Sequence, residues 1–445
     1  MPVEHLHAVP HLTTALTGPL QQIETLLLTE QNKIETWLRA EWRKTPAPLY
    51  ASVDLRNAGF KLAPVDTNLF PAGFNNLNPA FLPLCVQAMQ AKIEQICETA
   101  SHILLIPEDH TRNLFYMESL ATLRDIILKA GYQVRIGSLR PDLQAAETVA
   151  LPSGRYVKLE PVIRRDNRVG VADYDACLVI LNNDLMSGIP EQLRGIEQNI
   201  VPPPGLGWSS RLKSGHFKHY NAVANEFAAQ LGIDPWLINP QFRNCGELDF
   251  KKREGEDCLV RNVEALLASV QKKYDEYGID KPPFVVIKAD AGTYGMGIIS
   301  VSSVDEVISL NRKQRTKMAA MKGGTSVSKV ILQEGVYTFE TWGELESVAE
   351  PVVYMIDHFV VGGFYRVHTE RGINENLNAP GMHFEPLAFV EPCNTPDRTL
   401  EPDAEPNRFY AYGVLARLAL LAAARELAEH HAQSPENPPA EVVAG

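Results

Sequence analysis

A β-type run ending in lysine breaks into a glycine loop and resumes as a second β-type run; no other segment of this chain admits so few folds. It reads "FVVIKADAGTYGMGIISV" over residues 284–301. Glycine loops after strands commonly hold phosphates, but the surrounding structure differs between devices. A Walker A loop requires Gly-Lys-Ser/Thr running into a helix, so that the lysine reaches the terminal phosphates. A dinucleotide fingerprint requires Gly-x-Gly-x-x-Gly opening a helix. Here the order is Gly-x-x-Gly-x-Gly, the loop holds no Gly-Lys step, and helix-type sequence begins only after Ser303. The pattern predicts a hairpin flap between strands at 284–288 and 298–301. Its backbone N–H groups would close over a triphosphate, with Lys288 as a point charge at the base. The plain alternative is a hairpin that uses its glycines only for positive φ.

Bulk properties narrow the setting. With 445 residues, 45% hydrophobic and 22% charged, the chain has the length for two or three cored units. A net charge of −12 without a basic tract argues against a nucleic-acid or anionic-membrane partner. The six cysteines show no CxxC pair and no zinc-like spacing, which predicts scattered thiols in a reducing compartment. The first residues lack the pattern of a secretory signal. The apolar stretch at 410–431 carries Arg417 and Arg425 and predicts a buried or amphipathic helix rather than a membrane span. A cytoplasmic protein is expected; its oligomeric state is not legible.

Along the chain, residues 1–45 read as a helical segment and 46–200 as an open α/β domain. The latter includes a βαβ unit with strands near 103–106 and 133–137 and an apolar strand within 174–190. Residues 201–281 read as a linker and a helical region, opened by the capping serines of "SSRLKSGHF". A third unit spans 282–430, with a capping box at "SVDE", a strand at 329–336 and a hairpin at 350–368 turning at Gly362–Gly363. The tail 431–445 is Pro-, Ala- and Glu-rich and is expected to be disordered.

The order of these features resembles the ATP-grasp superfamily, with bacterial glutathione synthetase the nearest analogy. More specifically, "LRNAGFKLAPVDTNLFPAGFNNLN", "IPEDHTRNLFYMESL" and "IKADAGTYGMGI" are together similar to the proteobacterial glutamate–cysteine ligase family, over roughly residues 50–430. The resemblance implies an ATP-grasp-like α/β ligase with an N-terminal pre-ATP-grasp domain. It implies ATP and Mg²⁺ as cofactors, glutamate and cysteine as substrates, and activation of a carboxylate as an acyl phosphate. Glutathione synthetase chemistry, another amino-acid ligation, a kinase, or a nucleotide-binding module without catalysis are the alternatives.

Such chemistry needs cations for phosphate, donors for an oxyanion and a pocket for an amino acid. For the phosphates the candidates are Lys288, Gly292, Thr293, Gly295, Gly297 and Lys213. Backbone groups at Gln333, Glu334 and Val336 are candidates for an adenine edge; the Glu334 carboxylate would meet ribose or lie on the surface. Arg366 and Asn376 match the superfamily's phosphoryl-contacting arginine and polar loop, although asparagine there also suits turn chemistry. Asp54, Arg56, Lys61, Asp66, Asn68 and Asn75 cluster in a segment with interleaved aromatics and, with Arg112, are candidates for the amino-acid substrate. The Glu-x-Asn strand that supplies magnesium ligands in related ligases is missing, which leaves Glu350, Glu375 and Glu385 as candidate oxygen donors.

Overall fold

The computed structural model describes residues 19–109, 113–292, 297–319, 327–343, 345–386 and 409–433; the tail beyond Gln433 and the flap tip at 293–296 lie outside them. Two helices lead, α1 (Pro19–Thr29) and α2 (Gln31–Lys44). In α2, buried Gln31, Ile34, Leu38 and Glu41 recur at three- and four-residue steps and so share one face. β1 (Tyr50–Asn57) and β2 (Leu62–Asn68) form an antiparallel hairpin, followed by α3 (Leu82–Ile96).

The expected βαβ unit comes next: β3 (His102–Pro107), α4 (Leu114–Lys129) and β4 (Gln133–Ser138), with the two strands parallel. β5 (Glu147–Ala150), β6 (Tyr156–Arg165), β7 (Arg168–Val171), β8 (Tyr174–Asp175), β9 (Leu178–Asn182) and β10 (Asn199–Val201) complete this sheet. Its order is β10-β9-β3-β4-β6-β7-β8, with β5 beside β6, and it is parallel from β10 to β6. β9 is buried at every residue, as an unbroken apolar run requires of a strand covered on both faces.

After α5 (Lys213–Leu231), β11 (Phe242–Cys245) and α6 (Glu256–Tyr277) lead to the glycine hairpin. α6 buries Leu259, Val263, Leu266, Val270 and Tyr274, a stripe of helical period, and stops at Gly278 with φ 63°. β12 (Val285–Ala289) and β13 (Ile298–Val301) are antiparallel, with Lys288 opposite Ile298. Ser303 caps α7 (Val304–Ile308) by accepting from Glu306 N. α8 (Arg312–Ala319) and β14 (Val330–Glu334) follow, giving a sheet in the order β11-β14-β12-β13.

The remaining strands are β15 (Thr341–Trp342), β16 (Ser347–Ile356), β17 (Phe359–His368) and β18 (His383–Pro386). They join β1 and β2 in the order β18-β17-β16-β1-β2, with β15 on β16. The 46–200 stretch is thus divided: its first two strands pair with a sheet from the far end of the chain, and the rest forms the largely parallel sheet. The hairpin turn expected at Gly362–Gly363 falls instead at Asp357–His358, where Asp357 adopts φ 50°. The glycines lie inside β17, where the register shifts beside Tyr354 and Gly362 takes φ 138°, a conformation glycine accepts at a bulge.

α9 (Phe409–Gln433) is buried at every residue from Tyr410 to Ala424 and packs on α5, β1 and β2. A helix that is apolar all round must be enclosed, and its charges must be paired. Arg417 donates to both Glu35 oxygens at 2.8 Å, and Arg425 reaches Glu41 and Glu226. Among the described residues no helix is long and apolar enough to cross a membrane.

Candidate active site

A cleft of about 680 Å³ opens where the sheets meet. Its floor is β1, β2, β16 and β17, and β12, β13 and β14 form a wall. Glu108 and Asp184, just past the C-terminal ends of the parallel strands β3 and β9, close another side. Strand ends of such sheets are where ligands enter.

Neighbouring strands set the floor charges in a row. Glu350 lies directly opposite Arg366, and Asp54 opposite Asp66. Asp54 and Arg56 are two residues apart on β1 and therefore face the same way. Like charges directly opposite each other are unfavourable, and cations relieve both carboxylates. Arg366 Nη1 donates to Asp54 at 2.8 Å and also to Glu350 Oε1. Lys213 Nζ donates to both Asp66 oxygens, at 3.0 and 3.1 Å. Arg56 Nε donates to Glu350 Oε2 at 2.9 Å, and its two terminal nitrogens donate to the carbonyls of Val336 and Glu375 at 3.2 and 2.5 Å.

Titration follows from this environment. Burial pushes the Asp66 carboxyl up, but Lys213 and Lys288 outweigh it and hold the group down at about 2. For Asp54 burial prevails over Arg366, and the carboxyl stays above its ordinary value. Glu350 is held below its ordinary value because Arg56 and Arg366 together overcome its burial. Burial lowers the Lys288 ammonium to about 8, against the pull of Asp66. Lys288 Nζ donates to Val65 O at 2.9 Å and to Gln333 Oε1 at 2.7 Å. The Gln333 Nε2 and Arg366 Nε atoms are buried without a hydrogen-bond partner.

Asp290, one residue beyond β12, fastens the wall to α5. It accepts from Ser214 N at 2.8 Å and Ser214 Oγ at 2.7 Å, and its carbonyl accepts from Lys213 N at 2.8 Å. The serines expected to cap α5 do not: the N-cap is Leu212, without a side-chain cap, and the capping carboxylate arrives from 76 residues away. Lys213, in the first turn, is thereby fixed over the Trp208 ring, 3.9 Å from its centroid.

Asp54, Arg56, Asp66, Asn68, Asn75, Lys213, Lys288, Gly292, Gln333, Glu334, Val336, Glu350, Arg366, Glu375 and Asn376 all border this cleft. Thr293, Gly295 and Arg112 lie outside the described residues. Gly297 does not line the cleft; at φ 65° it ends the loop, its carbonyl accepting from Ala289 N.

Several side chains expected at a ligand serve the fold instead. Lys61 is 1% exposed, pairs with Glu334 at 2.8 Å and does not line the cleft. The Glu334 carboxylate, which also accepts from Trp236 Nε1 and Gln241 N, is buried rather than a surface group. Hinge backbone groups are likewise engaged: Glu334 N donates to Gln241 O, Gly335 N to Phe284 O, and Val336 O accepts from Arg56. Asn68 and Asn376 border the cleft while also closing local turns, accepting from Phe70 N and Asn378 N.

The candidate metal oxygens are engaged too. Both Glu350 oxygens face arginines. The Glu375 oxygens accept from Arg371 and Gly372 N, and Glu385, not itself a lining residue, pairs with His383, which is. Among the described residues no three His, Cys, Asp or Glu side chains converge as metal ligands. Sequence reasoning passed over Asp290, Glu108 and Asp184. The last two follow apolar strands in "LLIPED" and "LVILNND", so the strand-end rule had a signal for them; the Asp290 cap left none.

The protein is α/β, and its cleft sets lysines and arginines against carboxylates. The profile of the glutamate–cysteine ligase family matches residues 24–427, and the chain belongs to that family of ligases. A crystal structure from Methylobacillus flagellatus KT, provisionally named a gamma-glutamylcysteine synthetase, shares 59% identity. That match covers 95% of this chain and 99% of the other, with a TM-score of 0.88. A glutathione synthetase-like effector from Globodera pallida matches at 10% identity and TM-score 0.35, over 77% of this chain and 74% of its own. D-alanyl-alanine synthetase A from Vibrio cholerae matches at 11% and 0.32, over 72% and 81%. No curated protein matches.

Replacing Lys61 by methionine leaves Glu334 buried without its counter-charge and is expected to cost about 3 kcal/mol in urea unfolding. The Lys61→Met, Glu334→Gln double variant should recover most of that loss. Unchanged stability in the single variant would return Lys61 to the list of ligand contacts.

Proposed function

We propose that this ligase joins the γ-carboxyl of glutamate to the amine of cysteine, converting ATP to ADP and phosphate through a γ-glutamyl phosphate. A carboxylate at neutral pH repels an incoming amine electronically and has no good leaving group. Attack of its oxygen on the γ-phosphorus of ATP releases ADP and gives an acyl phosphate. The cysteine amine then attacks the acyl carbon, and phosphate departs from the tetrahedral intermediate. The convergence of Lys213, Lys288, Arg56 and Arg366 on one cleft in a chain of this family is the observation that carries the reading.

In this scheme Lys288 and Lys213 hold the phosphates beneath the glycine hairpin, with Gly292 bringing backbone close to them. Arg366, with its unpartnered Nε, neutralises charge on the phosphoryl group in transfer, and the Asn376 amide donates to an anionic oxygen. Asp54 and Asp66 suit a substrate ammonium, and Arg56 a substrate carboxylate. Magnesium is expected to enter with the nucleotide; no step here is routed through it.

Phosphate release from ATP should require glutamate and cysteine together. Release instead with γ-glutamylcysteine plus glycine would transfer the protein to the glutathione synthetase reaction, and release with glutamate alone would indicate a kinase. Arg366→Ala should lower kcat by about a hundredfold or more while nucleotide affinity persists. Arg366→Lys, which keeps a charge under the same carboxylates, should recover only part of it. Full activity in either variant would move the phosphoryl site elsewhere.

The sign of a pH effect follows from Lys288. Burial lowers its ammonium to about 8, whereas a bound phosphate favours the charged form. Above that pH, binding must take up a proton, so ATP affinity should fall toward about tenfold per pH unit. Lys288→Arg, charged throughout, should flatten the profile between pH 7 and 9.5. A flat profile in the unsubstituted protein would mean that Lys288 does not border the phosphates.

A further inference from the structure

We propose that Cys245 and Cys258 form a reversible intrachain disulfide, a thiol modification site outside the cleft. Their sulfurs lie 3.0 Å apart, closer than two unbonded sulfurs rest. A bond length near 2.05 Å therefore requires an approach of about 1 Å. Cys245 ends β11, opposite Val330 of β14, and Cys258 lies in the first turn of α6, which packs against both strands. The site rests on this contact and not on the proposed reaction.

The two thiols are unlike. Cys258 is half-buried and Cys245 is buried. Cys245 donates to Cys258 Sγ, and Asn262 Nδ2 does so at 3.3 Å. The Cys245 hydrogen bond, aided by Gly246 N, Asn262 and Arg261, holds the Cys258 thiol below its ordinary value, while burial pushes Cys245 up to about 12. Cys258 is therefore the attacking thiolate and Cys245 the resolving thiol. The sulfurs of Cys97 and Cys177 contact Thr99 and the His102 backbone instead.

The oxidant is a small-molecule disulfide. The Cys258 thiolate attacks one of its sulfurs, forming a mixed disulfide and expelling one thiolate, which takes up a proton. Cys245 loses its proton and attacks Cys258 Sγ, forming the protein disulfide and expelling the second thiol. The two protein thiols together give up two electrons, and the reagent disulfide is reduced to two thiols. The bond fastens α6 to the edge strand of the sheet that carries Lys288 and Gln333.

The test treats the reduced full-length protein with hydroxyethyl disulfide under native conditions. Expected are the loss of two of the six free thiols, one cross-linked peptide holding Cys245 and Cys258, and reversal by dithiothreitol. Cys245→Ser should trap one hydroxyethylthio group on Cys258, and Cys258→Ser should leave Cys245 unmodified. Adducts that accumulate without a cross-link, first addition at Cys245, or reaction confined to other cysteines would overturn the proposal. If a variant fails to fold, the peptide map of the unsubstituted protein decides whether the bond forms.

Discussion

Taking Arg366, Glu350, Arg56 and Asp54 out of water is the constraint around which the rest of the structure is arranged. Buried ions are tolerated only when each faces a partner of opposite sign with good geometry. Here adjacent strands set those partners side by side: Glu350 lies between Arg56 and Arg366, and Arg366 is shared with Asp54. Sheet register therefore determines the electrostatics of the floor. A slip of one residue in β16 would turn Glu350 to the opposite face and leave two arginines with unbalanced charge.

The same requirement explains the elements behind the cleft. Asp66 needs Lys213, Lys213 needs the start of α5 held in place, and Asp290 holds it. α5 in turn leans on α9, where Glu426 binds Arg211 through two hydrogen bonds at 2.8 and 2.9 Å. A nearly all-apolar helix thus supports the polar site through a few charges at its far end. Glycine-hairpin, floor and C-terminal helix form one connected set of ion pairs and caps.

Local features were legible from the sequence. β-type runs on both sides of a glycine loop predicted β12 and β13, an apolar run predicted β9, and the helical region expected within 201–281 holds α5 and α6. Non-local partnerships were not, because spacing carries no information about a partner far along the chain. That β1 joins β16, that Asp290 caps α5, and that Cys245 meets Cys258 are all of this kind. Residue type was a partial guide to the site: most of the charged candidates do border one cleft. It was silent where a side chain already had an internal partner, as for Lys61 and Glu334, since composition does not reveal which hydrogen bonds are already made. The resemblance of three motifs supplied the family, which charge and periodicity alone could not.

The pairing of β1 with β16 has a consequence for the order in which the protein comes into being. Arg56 leaves the ribosome 294 residues ahead of its partner Glu350, an interval of roughly 15–60 s at ordinary rates of synthesis. During that time the first hairpin carries an arginine and two aspartates with no sheet to receive them, and the middle of the cleft floor is absent. The parallel sheet can assemble as it emerges, but the site cannot exist in half-finished form. Asp54, Arg56, Glu350 and Arg366 are neutralised together only when β16 and β17 arrive, so a chain released early lacks the middle of the cleft floor.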